Sequence, residues 1–226
     1  GHHSLHMYIL AKERSDIMLE VKNLYCGYDE IDIIKDINFK VEDGKNLCIV
    51  GPNGCGKSTL LKSIANIITY KGSITIDGME VCNFSRKELA KKVGLMSQIT
   101  QIYFPYTIYE TVSLGRYAHS KGVFNTLSKS DKDIILDAIE RVGLLDIKDK
   151  PINELSGGQL QRVFLAKIFA QDPDIILLDE PTNHIDIDTR EILESALKEF
   201  NGTILFVSHD RYFINKVADV ILEINN

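Results

Sequence analysis

Residues Gly51-Pro52-Asn53-Gly54-Cys55-Gly56-Lys57-Ser58-Thr59 constrain this chain more than any other stretch. They fit the pattern GxxxxGK[ST] and follow a short apolar run at 45–50. The next segment, 57–68, places Leu60, Leu61, Ile64, Ile67 and Ile68 on one helical face. Strand, glycine-rich loop and helix, in that order, are what a parallel α/β sheet requires. Glycine lets successive backbone N–H groups turn toward one anion without a Cβ clash, and the helix N-terminus adds partial positive charge there. In such a loop Lys57 reaches the β- and γ-phosphates of a nucleotide, and the Ser58 hydroxyl ligates Mg²⁺. A plain glycine turn beside an exposed lysine would share the pattern but not the flanking strand and helix.

A phosphate loop of this kind needs an acidic partner at the end of a buried strand. Ile175-Ile176-Leu177-Leu178-Asp179-Glu180 supplies two carboxylates. Asp179 would hold the magnesium through water, and Glu180 would act as the base that orients the attacking water. A strand ending in solvated carboxylates looks the same when read alone; the loop at 51–59 decides for the catalytic reading. Further strand-like runs lie at 19–25, 33–41, 72–76, 174–178 and 203–207, with a helical stretch at 188–199. Near-continuous apolar strands joined by helices predict a parallel sheet covered on both faces. Between about 99 and 155 strand signals almost vanish, while Ile134, Ile135, Ala138, Ile139 and Val142 keep helical spacing. This middle segment is expected to form a helical lobe inserted into the α/β core.

The 226 residues, 44% hydrophobic and 26% charged, suit one domain of ordinary globular composition. The net charge of −6 gives nucleic-acid binding no help, and none is expected. Cys26, Cys48, Cys55 and Cys82 form no CxxC pair and read as reduced thiols. No apolar run approaches the about 20 residues that span a bilayer, so if the chain serves membrane transport another chain must supply the pore. Residues 1–17 are expected to be a tag remnant and N-terminal extension, with Met7 or Met18 as the native start.

Leu155-Ser156-Gly157-Gly158-Gln159 completes a set of three motifs. Alone it would read as a helix N-cap; with the phosphate loop and Asp179-Glu180 it makes residues 18–226 resemble the ABC ATPase family. The resemblance implies a P-loop NTPase (RecA-like) fold: a parallel sheet core, a small antiparallel β subdomain and an inserted helical lobe. It implies ATP and Mg²⁺ as ligands, with two copies arranged head to tail. Ser156, Gly157, Gly158 and Gln159 of one copy would then face ATP held by residues 51–59 of the other. It further implies that Tyr28 stacks on adenine, that Gln98 touches magnesium and the attacking water, that His209 contacts the γ-phosphate and positions Glu180, and that Asp186 crosses the dimer interface. Within the loop, a thiol near a lysine and a helix N-terminus suggests that alkylation of Cys55 inactivates and that ATP protects.

Thr107-Ile108-Tyr109-Glu110-Thr111-Val112 and Gly115-Arg116-Tyr117-Ala118-His119 resemble the helical lobe of importers for metal chelates such as siderophores, haem and cobalamin. Many of those proteins have proline where this chain has Ala118. That resemblance implies integral membrane permease subunits as partners, an extracytoplasmic substrate-binding protein acting indirectly, and a place on the cytoplasmic face of the membrane. Thr182-Asn183-His184-Ile185-Asp186 and Ser208-His209-Asp210-Arg211-Tyr212-Phe213 look more like translation-associated ABC proteins that act on the ribosome. Those generally carry two cassettes and a basic linker, neither of which is visible here. A nucleotide-binding switch with little turnover is a third reading; Lys57, Gln98, Glu180 and His209 together argue against it.

Overall fold

The structure, a computed structural model, describes residues 17–97, 105–120 and 126–225. It is organised around two sheets. The smaller is antiparallel, in the order β2-β1-β4-β5, from β1 (Ile17–Tyr28), β2 (Ile31–Glu42), β4 (Tyr70–Ile76) and β5 (Met79–Glu80). The larger is wholly parallel, in the order β6-β7-β8-β3-β9, from β3 (Asn46–Val50), β6 (Val93–Met96), β7 (Ile175–Asp179), β8 (Thr203–Val207) and β9 (Val220–Glu223).

The alternation of side chains along β7 and β8 explains the layering. Ile175, Leu177, Leu205 and Val207 face a cluster built from β1, β4 and α1 (Lys57–Ile64), where Leu60, Leu61 and Ile64 are buried. Ile176, Leu178, Ile204 and Phe206 point the opposite way. They meet α5 (Gly157–Gln171), α6 (Ile187–Lys198) and α7 (Arg211–Val217). Strands covered on both faces have no polar side, which is why they read as unbroken apolar runs. Each such side chain contributes roughly 1.5–3 kcal/mol by leaving water.

Between β6 and β7 the described elements are all helical: α3 (Ile108–Ser113), a 3₁₀ helix (Leu114–His119), α4 (Lys129–Arg141), two short 3₁₀ turns and then α5. Ile108, Val112, Ile135, Ala138 and Ile139 share one continuous cluster with α5 and the sheet face rather than forming a core of their own. The remaining helix, α2 (Arg86–Lys92), precedes β6.

Helix α1 is shorter than its apolar periodicity predicts. Asn66 takes a left-handed φ of 55°, and the N–H groups of Asn66 and Ile67 donate to the carbonyls of Ser63 and Lys62. This is a Schellman closure, and asparagine tolerates the conformation it needs. Ile67, expected on the buried face, is therefore 61% exposed. Among the described residues no helix is long and apolar enough to cross a membrane.

Candidate functional site

Strands β3, β8 and β7 lie side by side and parallel, so the segments leaving their carboxyl ends gather on one edge of the sheet. In open α/β sheets ligands bind at that edge. From β3 comes the phosphate loop, from β7 the pair Asp179-Glu180, and from β8 the segment Ser208-His209-Asp210.

The loop ends at Gly56, which caps α1 with φ 98° and offers no side-chain cap. A Cβ there would stand 2.7 Å from Ile34 Cδ1, so both backbone and space require glycine. Every other α-helix described has a capping side chain: Ser85, Thr107, Ser128, Ser156, Asp186 or Asp210. The first N–H groups of α1 thus keep their donors for a ligand. Lys57 is 7% exposed, and its ammonium donates to the carbonyls of Gly51 (2.8 Å) and Pro52 (2.9 Å), held at the centre of the loop. Ser58 is exposed beside it, Thr59 is buried, and Pro52, Asn53 and Gly54 lie open to solvent.

Cys55 departs from the expectation of a reactive thiol. Its side chain turns inward, is 1% exposed, and belongs to the apolar cluster around α1. A Cβ on Gly51 would lie 2.8 Å from the Cys55 Sγ, so the first glycine of the loop leaves room for that sulfur.

At the end of β7 Asp179 is 8% exposed, and its Oδ1 is buried without a hydrogen-bond partner among the described residues. An orphaned carboxylate oxygen is costly unless something binds it. Glu180 takes a left-handed φ of 51°, and its N–H donates to Val207 O (3.0 Å). This unusual backbone for a glutamate turns the carboxylate toward β8, where Oε1 lies 3.2 Å from His209 Nε2. Tyr28, 44% exposed, ends β1 at a two-residue turn in which Asp29 and Glu30 both have positive φ.

The segment 155–159 lies elsewhere. Among the described residues no hydrogen bond or ion pair joins it to residues 51–59. Ser156 Oγ accepts from Gln159 N (3.2 Å) and Gln159 Oε1 accepts from Ser156 N (3.0 Å), a reciprocal cap on α5. Gly158 touches the start of α6: a Cβ would lie 2.6 Å from Thr189 Oγ1. Asp186 caps α6 by accepting from Thr189 N (2.7 Å), and that bond holds its carboxyl below the usual range. Gln98 lies outside the described residues.

Sequence reasoning missed how these parts are fastened. Gln161 Nε2 donates to Pro181 O (2.9 Å), joining α5 to the turn after Glu180. Ser208, buried, accepts from Asp210 N (3.1 Å) and lies 3.4 Å from Thr182 Oγ1. Asp210 itself directly precedes an apolar helical run, a capping signal legible in the sequence. The stretch 115–119 is also a fastener. Gly115 lets the 3₁₀ helix approach α5, where a Cβ would meet Lys167 O at 2.3 Å. Arg116 is buried and donates to Asp131 Oδ1 and Ala170 O, both at 2.8 Å, and His119 Nε2 lies 2.7 Å from Gln171 O. Hydrogen bonds from Ser128, with help from Arg116, bring the Asp131 carboxyl down to about 2.

A glycine loop opening an uncapped helix, with an acidic strand end and a histidine on the same sheet edge, defines a P-loop nucleoside triphosphatase. The chain belongs to the ABC transporter family, whose sequence profile matches residues 34–183. It binds ATP and is an ATPase of that family. The petrobactin import ATP-binding protein YclP of Bacillus subtilis is 38% identical over 92% of this chain and 84% of its own length. The zinc uptake system ATP-binding protein ZurA of Listeria innocua is 37% identical over 92% and 82%. A solved inward-facing metal-chelate type ABC transporter superposes with a TM-score of 0.78 at 28% identity, over 93% of this chain and 80% of that one.

Proposed function

We propose that this chain powers a membrane importer for a metal chelate or metal ion, bound to permease subunits at the cytoplasmic face of the membrane. The observation that carries this is its likeness, over almost its whole length, to ATP-binding subunits of metal and siderophore import systems. The same likeness weighs against action on the ribosome.

The geometry supports a mechanism in which ATP lies across residues 51–59 with its adenine on Tyr28. Lys57 exchanges its carbonyl partners for the β- and γ-phosphates, while the free N–H groups around Gly56 hold the β-phosphate. The unpartnered Asp179 Oδ1 and the exposed Ser58 hydroxyl suit a hard cation. With Gln98 they would hold Mg²⁺, which when bound neutralises charge on the phosphates. Glu180 orients the attacking water, and His209 holds that carboxylate from the other side.

The γ-phosphate side is completed by a second copy. Gly157 has open space where a Cβ would be, so this chain's own packing does not require glycine there. The N–H groups of Gly157 and Gly158 precede the capped Gln159 amide and remain available, and the Ser156 hydroxyl can still donate. Together with Asp186 these residues would close over ATP bound to the other copy. ATP binding both halves favours the closed pair, and ADP lets it open.

Purification of the chain from its native membrane at native abundance tests the importer reading. Integral membrane subunits, and a substrate-binding protein captured through them, are the expected companions; ribosomes in their place would overturn it.

A further inference from the structure

The imidazole of His209 is half exposed, so its position depends on the backbone on either side of it. On one side Ser208 is anchored at the buried end of β8. On the other, Asp210 uses its two carboxylate oxygens for different tasks. Oδ1 accepts from the N–H groups of Tyr212 (2.9 Å) and Phe213 (3.2 Å) and caps α7. Oδ2 lies 3.3 Å from Arg190 Nη1. Capping alone does not need that second partner.

Arg190 belongs to the first turn of α6, where its N–H donates to Asp186 O (3.1 Å). Its guanidinium lies 4.7 Å over the Tyr212 ring, and Glu194 Oε1 stands 3.7 Å from its Nε. With both side chains about a quarter exposed, the Arg190–Asp210 pair is less screened than a surface pair. A guanidinium stacked on a ring and hydrogen-bonded to one carboxylate is a directional contact that a lysine would not reproduce.

We propose that Arg190 is a positioning residue for hydrolysis: through Asp210 it ties the His209 segment to helix α6 and so sets His209 against Glu180. This rests on Glu180 and His209 acting as described above. Because Asp186 caps α6, a displacement of the turn at 183–186 carries Arg190 with it. Contact of that turn with a second copy would then be felt at the hydrolytic pair.

Asp210→Asn keeps an oxygen for the α7 cap and removes the charge that Arg190 meets. Arg190→Met keeps the stem and removes the fork. Steady-state hydrolysis against ATP concentration should show kcat lowered about 10- to 100-fold in each, with KM for ATP within about threefold. The double variant should be no slower than the slower single one, because both cut one link. Asp210→Asn should melt close to the unaltered chain. If Arg190→Met folds poorly because Glu194 loses its partner, Asp210→Asn alone decides. Unchanged kcat in Asp210→Asn, a rise in KM at constant kcat, or additive losses in the pair would overturn the proposal. Glu180→Gln, run alongside, keeps the outcomes apart. If Glu180→Gln hydrolyses normally, the base assignment fails; if it is inactive while Asp210→Asn is normal, only the Arg190 proposal fails.

Discussion

Helices α1 and α5 both begin where the proposed mechanism puts a phosphate, yet their first turns are finished in opposite ways. At α1 the cap is Gly56, with no side chain to satisfy the first N–H groups, and the nearby ammonium is held by loop carbonyls. At α5 Ser156 and Gln159 cap each other and close the turn from within. The first helix start leaves its amides open for an anion; the second is complete as folded and offers only two glycine amides and one hydroxyl proton. In the proposed mechanism the contrast would account for a first region that binds ATP within a single chain and a second that contributes only when a partner brings ATP to it.

The largest effects should come from breaking the α1 side. Lys57→Ala and Glu180→Gln should each lower hydrolysis by at least about 100-fold, with Glu180→Gln still forming a stable ATP-dependent pair by size-exclusion chromatography. A Glu180→Gln variant that fails to pair with ATP would break the two-copy reading. The α5 side separates two adjacent glycines. Gly157→Val should leave the melting temperature almost unchanged but reduce hydrolysis about 10- to 100-fold, because only a partner's phosphate needs that space. Gly158→Ala should instead cost about 1–3 kcal/mol of stability through its clash with Thr189. Mixing the impaired Lys57→Ala and Gly157→Val variants in equal amounts should restore about a quarter of normal activity, since half the pairs regain one intact site. No recovery on mixing would sink the head-to-tail arrangement.

The legible parts of fold and site were those written in contiguous residues. β7 and β8 showed as apolar runs because both faces are covered, and the motifs at 51–59, 155–159 and 179–180 are each local. β9 did not show: Val220 and Ile221 are exposed at a sheet edge, so burial leaves no pattern in four residues. Helix α2, Arg-Lys-Glu-Leu-Ala-Lys-Lys, buries only Leu89 and carries almost no periodicity. The pair Arg190–Asp210 spans 20 positions and two helices, and such a contact has no sequence signature until the helices are packed. The end of α1 is hidden in the sequence because Ile67 and Ile68 continue the apolar spacing past a turn that Asn66 closes.

A smaller effect belongs to the fastener between the helical segment and α5. Asp131→Asn leaves the buried Arg116 without its carboxylate and should cost about 1–3 kcal/mol in denaturant unfolding. The sign with pH follows from a folded value of about 2, below the unfolded value of about 3.9. This carboxylate stabilises the fold above its unfolded value, and the contribution is lost as pH falls through the folded one. The stability gap between Asp131→Asn and the unaltered chain should therefore narrow from about pH 5 toward about pH 2. A gap that persists there would assign the effect to shape, not charge. Hydrolysis per folded molecule should change little, since this contact lies away from both helix starts.

The smallest expected effect is the most direct check on how the α1 loop is packed. Thiol reactivity needs both access and thiolate. Burial raises the thiols of Cys26 and Cys48, the latter to about 11, and removes both from contention. Cys55 sits in the phosphate loop, but its sulfur faces the core, whereas Cys82 is exposed. A stoichiometric maleimide should therefore label Cys82 first and leave ATP hydrolysis nearly intact, with peptide mapping finding little adduct on Cys55. Rapid labelling of Cys55 with loss of activity would mean that the loop opens outward in solution. The pre-shaped α1 site, on which the contrast with α5 depends, would then have to be assembled by the nucleotide itself.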